Sequence, residues 1–138
     1  MNKTDLQKIS EIRLNEAKNL LDNGFFDGAY YLLGYAIECA FKACIAKQFK
    51  EYDFPDKKLV NKSHTHELEK LLGLAGLKQK LQEAQKENEE LELNWAVVKD
   101  WSAEDRYQHG ITEQKAKQFY EAVTQENIGI YSWLKNWW

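Results

Sequence analysis

Two side chains suited to metal-free phosphate chemistry stand three positions apart, at Arg106 and His109. A histidine can accept a proton near neutral pH, and the donor fork of an arginine can hold the charge of a phosphate. Residues at this spacing share a face if the segment is helical. Gly110 follows at once, however, and favours a turn. Arg106 and His109 are the candidate catalytic pair, with Asp105 and Tyr107 as candidate ligand-binding neighbours.

Glu38 is the second candidate site residue. It is one of two charged residues, with Lys42, in an otherwise apolar stretch between residues 28 and 46. A charge in such a place must be paired or solvated. The structural alternative is an ion pair between Glu38 and Arg106. The functional alternative puts Glu38 in a ligand site together with Tyr35.

Aromatic residues are numerous, with five Trp, seven Tyr and six Phe in 138 residues. Tyr30, Tyr31 and Tyr35 can stack on nucleic-acid bases, or they can pack in the core or against a second subunit. Trp133, Trp137 and Trp138 carry the same two interpretations. More aromatic surface than one small core needs favours a homodimer.

His64 and His66 open a metal hypothesis in which Glu69 joins His66 as a ligand. No second cluster with helical ligand spacing accompanies them. The alternative is a helix start at which His66 and Glu67 meet exposed backbone amides. The sequence has neither a Gly-rich phosphate loop nor a nucleophile elbow, so we predict no cofactor and no metal.

Cys39 and Cys44 lie five positions apart among apolar neighbours. Two such residues on one helix project in different directions and do not bridge easily. They are predicted to be reduced core thiols of a cytoplasmic protein.

The composition favours one globular domain over residues 1–138. A single proline, Pro55, disfavours linkers and an all-β fold. The formal net charge of −3, without a basic arm, makes duplex DNA an unexpected partner. The polar N-terminus lacks a signal-peptide core, and no long uncharged apolar run predicts a membrane span.

Helical periodicity dominates the chain. It predicts helices over residues 3–21 with Thr4 as the cap, 28–50 with Asp27 as the cap, and 113–136 with Thr112 as the cap. Gly24 suits a left-handed end of the first helix. Shorter pieces are predicted at 66–72, capped by Thr65, from about residue 76, and over 91–101. Residues 52–61 and 102–110 are predicted to be connections.

The second of these helices is apolar nearly all round, which is typical of a helix buried on most sides. We therefore predict an all-α fold in which this helix is central or lies at a subunit interface.

Several motifs, taken in order, resemble those of the HEPN family (higher eukaryotes and prokaryotes nucleotide-binding domains). The similarity runs from about Arg13 to Trp133. It comprises Arg13-Leu14-Asn15-Glu16-Ala17, Gly28-Ala29-Tyr30-Tyr31, Ala36-Ile37-Glu38-Cys39-Ala40-Phe41-Lys42-Ala43, His66-x-Leu68-x-x-Leu71-Leu72 and Trp101-x-x-Glu104-x-Arg106-Tyr107.

The resemblance implies an up-and-down antiparallel bundle of four to five helices with a short-helix insertion, and a homodimer. It also implies three functions: metal-independent RNase toxin, helical partner of a minimal nucleotidyltransferase, or non-catalytic binder of RNA or nucleotides. RNases of the family carry four to six residues between Arg and His, whereas two separate Arg106 from His109. We therefore predict an RNA- or nucleotide-binding protein of a prokaryotic stress, defence or toxin–antitoxin system, with full nuclease activity absent.

Overall fold

The computed structural model describes residues 2–48, 57–104 and 109–138. These parts of the chain are helical and contain no strand, which confirms the all-α prediction. Their helices are α1 (Lys3–Asp22), α2 (Phe26–Ala46), α3 (Lys57–Lys62), α4 (Leu68–Leu74), α5 (Lys78–Glu87), α6 (Glu89–Val98), α7 (Glu113–Thr124) and α8 (Ile130–Leu134). The fold is a helical bundle with short helices between the longer ones.

α1 and α2 form a hairpin that is the most extensive helix pair of the bundle. Gly24 turns the chain between them with a φ of +82°, a conformation that suits glycine. The cap of α1 is Asn2 and not the predicted Thr4, because the Asn2 side chain accepts from the backbone N–H of Asp5.

α2 lies at the centre of the bundle, as predicted, because it packs against α1, α4, α7 and α8. It begins at Phe26, earlier than predicted, and ends at Ala46. Asp27 is therefore inside the first turn and does not cap it. Its Oδ1 instead accepts from the backbone N–H of Ile111, at 2.8 Å, and so ties α2 to the chain entering α7.

Among the described residues, α2 is also the one helix long and apolar enough to cross a membrane by composition. Of its most apolar stretch, 72% is buried inside the fold. Burial of this extent is what the core helix of a folded domain shows.

The region between α2 and α5 differs from the prediction at two places. α3 occupies residues that were predicted to belong to a loop ending at Asn61. α4 starts at Leu68, after an extended Glu67, and not at His66. Thr65 accepts from the backbone N–H of Glu67, so it organises the turn before the helix, and His66 stays outside the helix.

The predicted last helix is divided into α7 and α8. Thr112 caps α7 as predicted, accepting from the backbone N–H of Lys115. The break follows from the turn over residues 125–129, in which Asn127 has a φ of +67°. A Cβ at Gly129 would lie 2.5–2.7 Å from backbone atoms of Val123 and Gln125. The turn between α7 and α8 therefore requires glycine at position 129.

The core accommodates most of the described aromatic rings within one chain. Tyr30 packs on Phe119 with ring centroids 4.5 Å apart, and Trp133 contacts Trp137 at 5.9 Å. Among the described aromatic side chains, Phe25 is the one that is largely exposed, at 62%. The aromatic count by itself thus gives little reason to invoke a second subunit, and the homodimer stays a prediction.

Both cysteines are buried and unpaired, as predicted. Burial raises the pKa of the Cys39 thiol and of the Cys44 thiol to about 11. Both thiols are therefore protonated at neutral pH and unsuited to nucleophilic chemistry.

Candidate functional site

The buried carboxylate of Glu38 is the centre of the candidate site. Its side chain is 2% exposed in the middle of α2, whose other buried residues are apolar or small. Oε1 lies 2.9 Å from His66 Nδ1, and Oε2 lies 3.1 Å from Lys42 Nζ. Lys42 follows Glu38 by four positions and therefore shares its helix face. We refer to Glu38, Lys42 and His66 as the charged cluster.

This pairing differs from the sequence prediction for Glu38. Among the described residues its partners are Lys42 and His66, whereas the predicted partner was Arg106. Arg106, Asp105 and Tyr107 lie outside the described residues, so their predicted roles stay predictions.

His66 is held by one ring nitrogen and faces solvent with the rest of its ring. The tautomer of His66 decides which of the two groups donates in this contact. An ionised carboxylate only accepts hydrogen bonds, so with Glu38 ionised the donor is Nδ1–H, and Nε2 of a neutral ring in that tautomer keeps its lone pair. The side chain is 57% exposed, which leaves room for a ligand. This arrangement replaces the predicted one, in which His66 met the amides of a helix start.

A surface cavity of about 230 Å³ opens beside His66. Lys99, Trp101 and Ser102, which follow α6, form its opposite wall. Three acidic residues also line this cavity: Glu67, Glu69 and Asp100. Glu67 Oε2 lies 3.1 Å from Lys70 Nζ, and Glu69 Oε1 lies 3.8 Å from Lys99 Nζ. These two lysines reduce the repulsion that Glu67 and Glu69 would exert on an anionic ligand.

An aromatic ladder of Tyr35, Tyr31 and Trp101 lies along the same helix. The rings of Tyr31 and Tyr35 are stacked with centroids 6.2 Å apart, and those of Tyr31 and Trp101 with centroids 6.0 Å apart. Trp101 is 2% exposed, whereas both tyrosines are half-buried. Burial is the main cause that raises the pKa of Tyr35, helped by the charges of Cys39 and Glu38.

Gly34 allows this ladder to approach α2. A Cβ at this position would lie 2.0 Å from Cε2 of Trp101, so the indole ring occupies the space that any larger residue would need. Glycine is therefore required here by close packing and not by its φ angle.

His109 is exposed, and no hydrogen bond or ion pair joins it to the charged cluster within the described residues. His64 is exposed as well, and Glu69 pairs with Lys99. Within residues 2–48, 57–104 and 109–138, no group of three or more His, Cys, Asp or Glu residues is placed to hold a metal ion.

The sequence predicted Glu38 and Tyr35 as candidate ligand-binding residues, and that role stays a prediction. It did not predict that Lys42, His66 and Trp101 lie beside them. Lys42 could have been found, because it is the second charge on the apolar helix and lies one turn from Glu38. His66 is 28 positions from Glu38, and no local pattern links the two. Glu38 and His66 become neighbours only when α2 and α4 pack together in the folded bundle.

Comparison with known proteins returned one family. The family model described as the HEPN domain matches residues 4–137, nearly the entire chain. Searches of curated proteins and of solved structures gave no match.

Proposed function

This chain belongs to the HEPN domain family, and we propose that it binds RNA or a nucleotide at the charged cluster and the aromatic ladder beside α2. The observation that carries the proposal is the buried Glu38 carboxylate, which holds one exposed imidazole and one half-buried ammonium group at the surface. Burying a carboxylate in an apolar helix is costly. The cost is understandable if Glu38 serves to position Lys42 and His66 for binding phosphate.

Lys42 and His66 supply the contacts for phosphate. A lysine offers a compact positive charge with three donors, and a histidine donates from Nε2 when it is protonated. Both side chains converge on Glu38, from α2 and from the turn before α4. Their phosphate-facing groups are therefore held close together without a metal ion.

The aromatic ladder supplies a surface for bases. Stacking on an aromatic side chain is tolerant of base identity because every base has a flat face. Tyr35 precedes Glu38 by three positions, so the two lie on one face of α2. A nucleotide with its phosphate at Lys42 can then place its base towards Tyr35 and Tyr31.

The biological role of the protein remains the one predicted from the sequence. We propose a homodimer acting in a prokaryotic stress, defence or toxin–antitoxin system, in the cytoplasm. The alternative of a helical partner for a minimal nucleotidyltransferase rests on the family resemblance alone.

Binding should weaken when either cationic group of the cluster is removed. We expect Lys42→Ala and His66→Ala each to reduce affinity for a labelled single-stranded RNA about ten- to hundredfold, because each removes a charge-assisted contact worth about 1.5–3 kcal/mol. Fluorescence anisotropy measures the affinity. AMP and ATP as competitors show whether a mononucleotide suffices.

Lys117→Ala is the matched control, because Lys117 also pairs with a glutamate four positions earlier, Glu113, but lies on α7. Its affinity should equal that of the wild type. An equal loss in Lys117→Ala, or a wild-type protein that binds none of these probes, would contradict the proposal.

A second candidate function is RNA cleavage with His66, in place of the predicted His109, as the general base. The contact between Glu38 and Nδ1 favours it, because this contact leaves Nε2 facing solvent with a lone pair. Nε2 would take the proton of a 2′-hydroxyl while its oxygen attacks phosphorus. The bond to the 5′-oxygen breaks, and that oxygen takes a proton from water. The products are a 2′,3′-cyclic phosphate and a 5′-hydroxyl.

Cleavage should then require His66 and the 2′-hydroxyl. We expect His66→Ala to slow cleavage of an RNA oligonucleotide about 100-fold and His109→Ala to leave the rate unchanged. An oligonucleotide with a single 2′-deoxy position should resist cutting at that position. If wild-type protein binds RNA and does not cut it, cleavage is excluded while binding stands. Loss of cutting in His109→Ala alone would favour the original candidate.

A further inference from the structure

A second and larger cavity lies on another part of the surface, between α4 and α5. It measures about 880 Å³, within the range of small-molecule sites. Its floor is apolar and closed, because Leu72, Leu81 and Trp95 line it and are 6%, 3% and 8% exposed. None of the three residues of the charged cluster lines it.

The rim of this cavity is positively charged. Lys62, Lys70 and Lys78 line it together with a single acidic residue, Glu69. Lys70 Nζ lies 3.1 Å from Glu67 Oε2, so the excess positive charge is carried by Lys62 and Lys78. Glu69 is shared with Lys99, at 3.8 Å, so it does little to neutralise the rim. This local excess of positive charge contrasts with the formal net charge of −3 of the whole chain. Charge complementarity therefore favours an anion.

The walls add neutral hydrogen-bonding groups above the apolar floor. Gln82 and Gln85 project from α5, and Thr65 stands beside α4. A ligand that is complementary to this cavity has a flat apolar part that packs on the floor and an acidic group that pairs with the lysines of the rim. Inorganic phosphate lacks the first feature, and an uncharged aromatic molecule lacks the second.

We propose that the cavity between α4 and α5 binds a small aromatic anion, with the ring on Leu72, Leu81 and Trp95 and the acidic group between Lys62 and Lys78. This site goes beyond RNA or nucleotide binding at the charged cluster. α4 lies between the two sites, and His66 precedes it directly.

The test uses the full chain and a fluorescent aromatic anion, 1-anilinonaphthalene-8-sulfonate. Competitors then distinguish an aromatic phosphate from an aromatic carboxylate as the ligand. We expect the dye to bind the folded protein. AMP should displace it if an aromatic phosphate is accepted, and 1-naphthoate if an aromatic carboxylate is. Adenosine and inorganic phosphate should displace it at least tenfold less well. No saturable dye binding by the wild-type protein, or equal displacement by adenosine, would overturn the proposal.

Charge reversal on α5 locates the site. Lys78→Glu should weaken dye binding at least tenfold, whereas Lys86→Glu should have no effect. Lys86 is exposed on the same helix and does not line this cavity. His66→Ala should also leave dye binding intact, which keeps this proposal separable from RNA binding. Unchanged binding in Lys78→Glu, or its loss in His66→Ala, would contradict the proposed location. Thermal unfolding confirms that each variant is folded.

Discussion

Replacing Phe41 with alanine is expected to lower the free energy of unfolding by about 3–5 kcal/mol, as for other large buried aromatic residues. Phe41 is 1% exposed and meets Trp95 of α6 edge-on, with ring centroids 6.0 Å apart and an interplanar angle of 75°. It lies on α2, against which α1, α4, α7 and α8 pack. The surrounding helices cannot close the resulting space without losing other contacts, so a cavity remains.

Chemical denaturation of wild type and Phe41→Ala measures this difference. Phe25→Ala is the matched control, because Phe25 precedes the same helix and is 62% exposed. It should change stability by less than about 0.5 kcal/mol. A loss below about 1 kcal/mol for Phe41→Ala, well under the range for a buried Phe, would show that α2 is not the centre of the core.

Replacing Gly34 with alanine is expected to damage both the core and the proposed site. The added Cβ would lie 2.0 Å from Cε2 and 2.1 Å from Cδ2 of the Trp101 ring. Trp101 is 2% exposed, so the ring can move only by displacing its neighbours. We expect a loss of stability of about 3 kcal/mol, at the upper end for overpacking. Because Trp101 stacks on Tyr31, RNA affinity should fall as well.

Gly73→Ala provides the comparison, since Gly73 is also helical and a Cβ there meets nothing within 4 Å. That variant should be neutral or stabilised by about 0.4–1 kcal/mol, because alanine restricts the unfolded chain. A Gly34→Ala protein as stable as the wild type, with the indole N–H resonance of Trp101 unshifted, would show that the indole does not pack against α2 as described.

The sequence was sufficient to predict α1, α2 and the start of α7, together with the central position of α2. Helical periodicity depends on residues three and four apart, and a helix that is apolar on all sides has few places to lie. The family resemblance rested on the same local motifs, and the match over residues 4–137 confirmed it.

The breaks and the site were harder to predict because they depend on distant contacts. Asn127 and Gly129 favour a helix end between residues 125 and 129, but the apolar spacing continues across them, and the tight turn is evident only from the positive φ of Asn127 and the close backbone contacts of Gly129. His66 sits in a plausible helix start, yet its partner Glu38 is 28 positions away. Glycine weakens a helix interior, and only the packing of Trp101 explains why Gly34 stands in α2.

Chemical-shift mapping is the most direct test of the proposed RNA or nucleotide site. The ¹⁵N-labelled protein is titrated with a short single-stranded RNA, and with AMP in parallel. We expect the largest shifts on the amides of Tyr35, Glu38, Lys42 and His66 and on the indole N–H of Trp101. Saturable binding with shifts confined to α5 or α8, and none at these five residues, would contradict it.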